Sequence, residues 1–368
     1  MKAHRADYVL LSYFVILLAF GLIMLTSASS PVGHARFGDN YYFIGRQLLF
    51  GVLPGLVAFF LFAKMDYMVL KRFALPIFIL VNALLLLVFV PGIGSTFGTG
   101  SKSWLLVGDY SFQPAEFAKL GLIIFLSAYL AKIGKSVTHG KLGFLPSLLL
   151  GLCPVVLVVL QPDIGTVSIL FAVVFALLFF AGAKLWHMGA LAAVGILGLV
   201  FMVMIAPYRA ARLTTFLHPE LDPQGVGYHI NQAFLAVGSG GFFGLGLGHS
   251  RQKFQYLPEV HADSIFAVIA EEMGFLFASA FILLLALIAY RGFLVAKHAP
   301  DEFGRLLVAG ILTWFLVQSF LNIGAMVGLL PLTGVPLPFV SHGGTALLMA
   351  MAGVGIVVNV SKHVTRNT

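Results

Sequence analysis

Apolar residues run along this chain in long unbroken stretches, without the alternation of a half-buried strand. A helix that crosses a bilayer needs about 20 of them. Ten stretches approach that length: 7–28, 46–63, 72–90, 114–132, 145–160, 164–182, 185–206, 264–290, 304–328 and 342–361. The pattern predicts an all-α polytopic integral membrane protein with about ten transmembrane helices in a single domain over 1–368. The break at Gln161-Pro162-Asp163 is short, and 145–160 is short for a full span. One long polar segment, 207–262, separates the seventh and eighth stretches and predicts a large extracytoplasmic loop. A chain built for lipid gathers that much polar chemistry where it meets something polar, so the site is expected between this segment and the helices beneath it.

Two further outer regions break the apolar pattern. Pro91–Gln113 is rich in Gly and Ser and carries Trp104 and Tyr110. Residues 328–344 hold Pro331, Pro336 and Pro338, which a regular spanning helix does not accommodate. Irregular backbone at membrane depth survives only against protein or a water-filled cavity, so this stretch is expected to be a broken, re-entrant segment lining a cavity.

Composition agrees with a membrane protein. The chain is 60% hydrophobic and 10% charged, with a mean hydropathy of +1.00, against about 25% charged residues in ordinary soluble domains. The net charge of +8 implies no nucleic-acid partner, because the basic residues fall mostly in short loops. With the N-terminus inside, the inner loops hold Lys2, Arg5, Lys64, Lys71, Arg72, Lys132, Lys135, Lys141, Lys184, Arg291, Lys297, Arg305, Lys362 and Arg366. That bias predicts both termini in the cytoplasm. Arg36, Arg46, Lys102, Arg209, Arg212, Arg251 and Lys253 fall outside, and most of them lie in the polar segment, where they need another reason to exist. The single cysteine, Cys153, excludes an intrachain disulfide and reads as a packing residue. The start, with Lys2 and Arg5 before an apolar stretch, mimics a signal peptide. Its apolar run exceeds the usual ~7–15 residues, so it is expected to be an uncleaved first helix.

Several polar residues sit where burial is expensive. Asp263 begins an apolar helix. It reads as a helix-end carboxylate, as a base at the membrane–water boundary facing a cavity, or as both. Glu271 and Glu272 lie about two turns deeper. At 3.6 residues per turn Glu271 falls below Asp263 and Glu272 points elsewhere. Each could serve function or an ion pair. Glu116 and Lys119, at i and i+3, could pair, or the lysine could face a phosphate. Arg209, Arg212, Arg251 and Lys253 form an expected cationic patch, suited to lipid head groups or to a pyrophosphate-linked lipid. GSGGFFGLGLG, 238–248, has the glycine content of a phosphate-cradling loop, or of a close-packing one. Ser341, in the proline-rich stretch, joins the substrate-contact candidates. His218, His229, His249 and His261 match no zinc spacing.

At these residues the chain resembles the SEDS family (shape, elongation, division and sporulation). The matching stretches are FQPAEFAKL (112–120), QPDIGT (161–166), YRAARL (208–213), 222–274 and GLLPLTGVPLPFVSHGG (328–344). The GLGHSRQKFQYLPE run resembles the division type, FtsW, more than the elongation type, RodA. The resemblance implies a peptidoglycan glycosyltransferase that polymerises lipid II at the outer face of the cytoplasmic membrane. It implies a class B penicillin-binding protein as partner, other division proteins, membrane lipids and a place at the division septum. It also implies that Asp263 is the essential aspartate, and that Glu116 and Lys119 are the family's buried pair. Departures are Ala262 and Ser264, where Thr and Phe are usual around the aspartate, and Ala270 for Gly. Ser103 also stands for Arg and His342 for Tyr.

The expected reaction has Asp263 take a proton from the acceptor sugar hydroxyl while undecaprenyl pyrophosphate leaves with inversion. Arg209, Arg212, Arg251, Lys253 and Lys119 are candidates to stabilise the departing charge. A divalent cation, Mg or Mn, could share that task, and Asp263 could be its ligand instead of the base. The sequence identifies no certain cofactor. The alternatives are a lipid II flippase with Glu116, Lys119 and Glu271 along its path, and a scaffold that recruits the crosslinking enzyme.

Overall fold

Fourteen α-helices form among the described residues. In chain order they are α1 Tyr8–Phe37, α2 Tyr42–Gln47, α3 Leu53–Lys64, α4 Met68–Arg72, α5 Ala74–Leu87, α6 Pro114–Ile133 and α7 Leu145–Leu160. Then follow α8 Ile164–Phe180, α9 Leu185–Ile205, α10 Pro207–Leu217, α11 Val226–Ser239, α12 Ile265–Lys297, α13 Glu302–Met326 and α14 Gly344–Ser361. The structure, a computed structural model, describes residues 6–96, 102–107, 110–205 and 207–364, and leaves the side chains of 107, 110, 205 and 207–209 undescribed. Lys2, Arg5 and Arg366 of the charge pattern therefore lie outside the described residues, as do the side chains of Arg209 and Tyr110.

Eight helical segments have the length and hydropathy to cross a membrane. One of them, Tyr42–Lys64, joins α2 and α3 through a π-helical turn at Leu48–Val52. Two shorter apolar helices, α5 and α8, accompany them. The ten predicted stretches correspond to these ten segments, with ends displaced by up to nine residues. The largest displacement is at α1, which runs on to Phe37 because its small polar residues, Thr26 to Ser30, pack against protein and not lipid.

The helix starts follow local chemistry. Asp7, Asp163 and Asp301 precede α1, α8 and α13, and each accepts a hydrogen bond from the backbone N–H three residues on, at 3.0 Å. Such caps satisfy donors that the helix itself leaves unpaired. Burial sorts the helices: 78% of the α14 span is enclosed by protein, against 11% of α9. α6, α13 and α14 therefore form the centre, with α3, α8 and α12 packed on them and α9 at the edge.

Three expectations change. Within the stretch read as the first outer loop, the described residues form a small antiparallel sheet, β1 Gly94–Ser95, β2 Trp104–Val107 and β3 Tyr110–Phe112, with Ser95 opposite Trp104 and Leu105 opposite Phe112. The segment 207–262 is partly helical: α11 buries Ile230, Ala233 and Ala236, and α10 precedes it through a short 3-10 turn at Pro219–Leu221; the longest irregular stretch runs from Gly240 to Ser264. Cys153 is exposed on α7, where its thiol faces Asn82 Oδ1 at 3.4 Å, so it is not an interior packing residue.

Candidate active site

Asp263 sits two residues before the start of α12, which begins at Ile265 with Ser264 as the capping position. It therefore does not share a helix face with Glu271, contrary to the periodicity argument. Its backbone carbonyl accepts a hydrogen bond from Asn322 Nδ2 at 2.8 Å, and the same amide group donates to Val335 O at 2.9 Å. One side chain of α13 thus holds the aspartate and the proline-rich segment together. The carboxylate is half-buried and accepts from Ser264 Oγ at 3.4 Å. A Cβ placed on Gly334 would lie 4.0 Å from Asp263 Oδ2. Asp263 forms no ion pair among the described residues. Burial pushes its pKa up to about 6, helped by the nearby charge of Glu259 and opposed by hydrogen bonding and Arg212. A carboxylate in that range is poised to take a proton near neutral pH.

The segment 327–343 is irregular, as its prolines dictate. Its backbone is satisfied by side chains from distant parts of the chain. Gln318 Nε2 donates to Pro336 O at 2.8 Å. Gln47 donates to Ser341 O at 3.2 Å and accepts from Gly343 N at 2.9 Å. Ser341 Oγ accepts from Leu337 N at 2.8 Å and donates to Ala262 O. Ser341 thus grips the residue before Asp263, and its hydroxyl is engaged with backbone. The cavity beside this segment is about 10 Å³, bounded by Glu116, Gln318, Pro336 and Ser341. That is room for about one water, so this backbone is protected mainly by protein.

Glu271 and Glu272, both buried, face the irregular chain after α11. Glu271 accepts from Arg251 N at 2.9 Å and from Ser250 Oγ. Glu272 accepts from Lys253 Nζ at 2.7 Å and from Ser27 Oγ of α1 at 2.7 Å. Lys253 is buried in that pair and leaves the expected cationic patch. The glycine run 238–248 packs backbone on backbone. Leu245 N and Gly246 N donate to the carbonyls of Glu271 and Glu272, at 3.0 and 2.9 Å. Gly241 O and Phe242 O accept from Phe275 N and Leu276 N. Gly274 breaks α12 here, at φ 73°, and a Cβ on it would meet Gly244 N at 2.2 Å. Of the two readings of this run, close packing is the one the contacts express.

Lys119 is buried between Glu116 Oε1, at 2.7 Å, and Gln318 Oε1, at 2.8 Å, with its ammonium 5.0 Å from the Trp314 ring centre. Gln318 also grips Pro336, so the pair braces the proline-rich segment from below. Arg212 and Arg251 are exposed. Arg212 is near enough to act electrostatically on both Asp263 and His229. Among the described residues no three His, Cys, Asp or Glu side chains gather to hold a metal ion. Asp263 would offer a cation one carboxylate.

Four residues near Asp263 carried no sequence signal for this role. His261 and His342 flank Phe43, with ring centres 4.2 and 5.3 Å from it. Burial lowers both histidines to about 4, reinforced by Arg36 for His261 and by His261 and Arg46 for His342. His229, on α11, lies 2.6 Å from Ser264 Oγ. Asn322 is the fourth. Only its position, a buried amide in an apolar helix, could have marked it. A separate cleft of about 850 Å³ opens between the outer half of α1 and residues 247–255, lined by Ser27, His34, Tyr41, Lys253 and Phe254 among others, and it does not include Asp263.

A family of cell cycle proteins, FtsW/RodA/SpoVE, matches residues 8–366. Stage V sporulation protein E of Bacillus subtilis strain 168 is 40% identical over 362 residues, covering 98% of each chain. A probable peptidoglycan glycosyltransferase FtsW of Geobacter sp. strain M18 is 38% identical, covering 96% of each. Among solved structures, one described as a peptidoglycan synthase complex that coordinates polymerization and crosslinking is similar with a TM-score of 0.79, at 27% identity and 97% coverage of each chain. The rod shape determining protein RodA of Thermus thermophilus is similar with a TM-score of 0.72, at 28% identity and 98% coverage of each.

Proposed function

This chain belongs to the FtsW/RodA/SpoVE family of cell cycle proteins, and on that premise we propose that it is a peptidoglycan glycosyltransferase that polymerises lipid II at the outer face of the cytoplasmic membrane. The observation that carries the reading is the state of Asp263. It is half-buried, outside every ion pair among the described residues, and raised to about 6. The other buried carboxylates are occupied.

The acceptor sugar hydroxyl loses its proton to Asp263 as its oxygen attacks the anomeric carbon of the growing strand. The bond from that carbon to undecaprenyl pyrophosphate breaks, and the configuration inverts. Charge grows on the departing pyrophosphate, and fixed cations stabilise it. Arg212 and Arg251 are exposed for this role, with Arg209 the third candidate from the same segment. Lys119 and Lys253 are committed to Glu116 and Glu272 and serve by holding the site's walls. Were a divalent cation to take part, Asp263 would be the residue to hold it, and the cation would supply positive charge to the departing pyrophosphate.

The proposed surroundings are the division septum, with both termini in the cytoplasm. The proposed partner is a class B penicillin-binding protein, supported by similarity to a synthase complex that couples polymerization to crosslinking. A lipid II flippase needs a polar path, whereas Glu116, Lys119 and Glu271 are each buried and partnered. Purified protein supplied with lipid II tests the proposal. Wild type makes glycan strands and Asp263→Asn does not. Lipid movement without polymer from wild type would overturn it in favour of the flippase, and neither activity would favour a scaffold.

A further inference from the structure

A chain of contacts that ends on Asp263 begins in α11. His229 Nε2 lies 2.6 Å from Ser264 Oγ, and Ser264 Oγ lies 3.4 Å from Asp263 Oδ1. Ser264 is fully buried. It stands at the capping position of α12, a residue type and place that normally satisfy the first helical N–H groups. Its side chain caps nothing. The hydroxyl is turned instead toward the imidazole and the carboxylate.

The direction of these bonds follows from what each group can do. An ionised carboxylate only accepts, and a serine hydroxyl has one proton to give. Ser264 therefore donates to Asp263 Oδ1, and its oxygen accepts from His229. That requires a ring that carries a proton on Nε2. Burial, with Arg212 adding repulsion, keeps His229 down at about 4 and so neutral near pH 7. The 3.4 Å contact is long, and contacts of this kind tighten once substrate fills a site.

We propose that His229 and Ser264 are positioning residues for the base: the imidazole N–H aims the serine hydroxyl at Asp263 Oδ1, which sets the carboxylate plane and leaves Oδ2, on the Gly334 side, to receive the acceptor's proton. Asn322 fixes the same residue through its backbone, so main chain and side chain are held from two different helices. The inference rests on the general-base reading of Asp263.

The test is lipid II polymerisation by the purified full chain, with kcat and KM measured separately and thermal stability followed in parallel. Ser264→Ala removes one atom. It lowers kcat roughly tenfold or more, the size expected for a lost hydrogen bond to a charged group, and leaves KM unchanged. His229→Phe lowers kcat similarly. Combining it with Ser264→Ala costs no more than either alone, because the two act in series. His229→Gln keeps an N–H donor and recovers most of the rate. In an Asp263→Asn background, Ser264→Ala removes nothing further. Wild-type kcat in Ser264→Ala beside an inactive Asp263→Asn overturns the positioning role alone, as does multiplicative loss in the double variant. Normal polymerisation by Asp263→Asn overturns the base reading beneath it. Should His229 variants fold poorly, the single-atom serine variant decides.

Discussion

Two carboxylate sites lie within ten residues of each other along this chain, and they are built in opposite ways. Glu271 and Glu272 are sealed from solvent, with four side-chain or backbone donors near 2.7–2.9 Å or closer, one of them a lysine. Asp263 has one side-chain donor, the Ser264 hydroxyl at a long 3.4 Å, help from its own backbone N–H, and no ion pair among the described residues. A fully solvated or fully paired carboxylate stays ionised and inert. One that is desolvated and left short of donors gains proton affinity. Saturation marks the pair that ties residues 250–253 to α12, and shortage marks Asp263, the proposed base.

The contrast is broken most severely at its functional half. Asp263→Asn is expected to reduce glycan polymerisation by roughly 10²–10⁴-fold, the range for a lost general base, while the melting temperature in detergent stays near wild type. Lys253→Met should do the reverse. It leaves Glu272 buried beside an apolar side chain, and removing one member of a buried pair costs about 3–5 kcal/mol. A large drop in melting temperature is expected, with any loss of activity following loss of folded protein. An Asp263→Asn variant that melts early, or a Lys253→Met variant that melts normally, would erase the distinction.

Smaller effects sharpen it. The rate of folded protein should fall below about pH 6, where Asp263 takes up a proton and can no longer accept one. The loss approaches tenfold per pH unit well below that point. Glu259 raises Asp263 through its charge, so Glu259→Gln should move this acid limb to lower pH by a fraction of a unit. A pH–rate profile on both proteins checks the midpoint and the direction of its movement.

The ten apolar segments were legible because lipid imposes a local rule on about twenty consecutive residues. The irregular 327–343 segment was legible because three prolines within eight residues cost a helix more backbone hydrogen bonds than a single one, such as Pro31 in α1 or Pro154 in α7, which a long helix absorbs. Asp263 stood out as a charge at the edge of an apolar run. What escaped were contacts between distant residues. Ser27 reaches Glu272 across 245 positions and Gln47 reaches Ser341 across 294, and no nearby residue announces either. The same blindness put Lys253 on the surface, since a lysine in a polar segment looks exposed until its partner is known. Helical periodicity aligned Asp263 with Glu271 because it carried α12 back two residues too far. The small sheet at 94–112 was hidden by its brevity, two to four residues per strand, too short for any alternation to show.

The break at Gly274 has a mechanical corollary. An unbroken helix keeps its amides and carbonyls to itself, whereas here four of them are lent to residues 241–246. The first third of α12 and the irregular chain beside it are thereby stitched into one stiff plate, with Asp263 at its rim. A push on that plate from outside the membrane would reach the aspartate with little slack to absorb it.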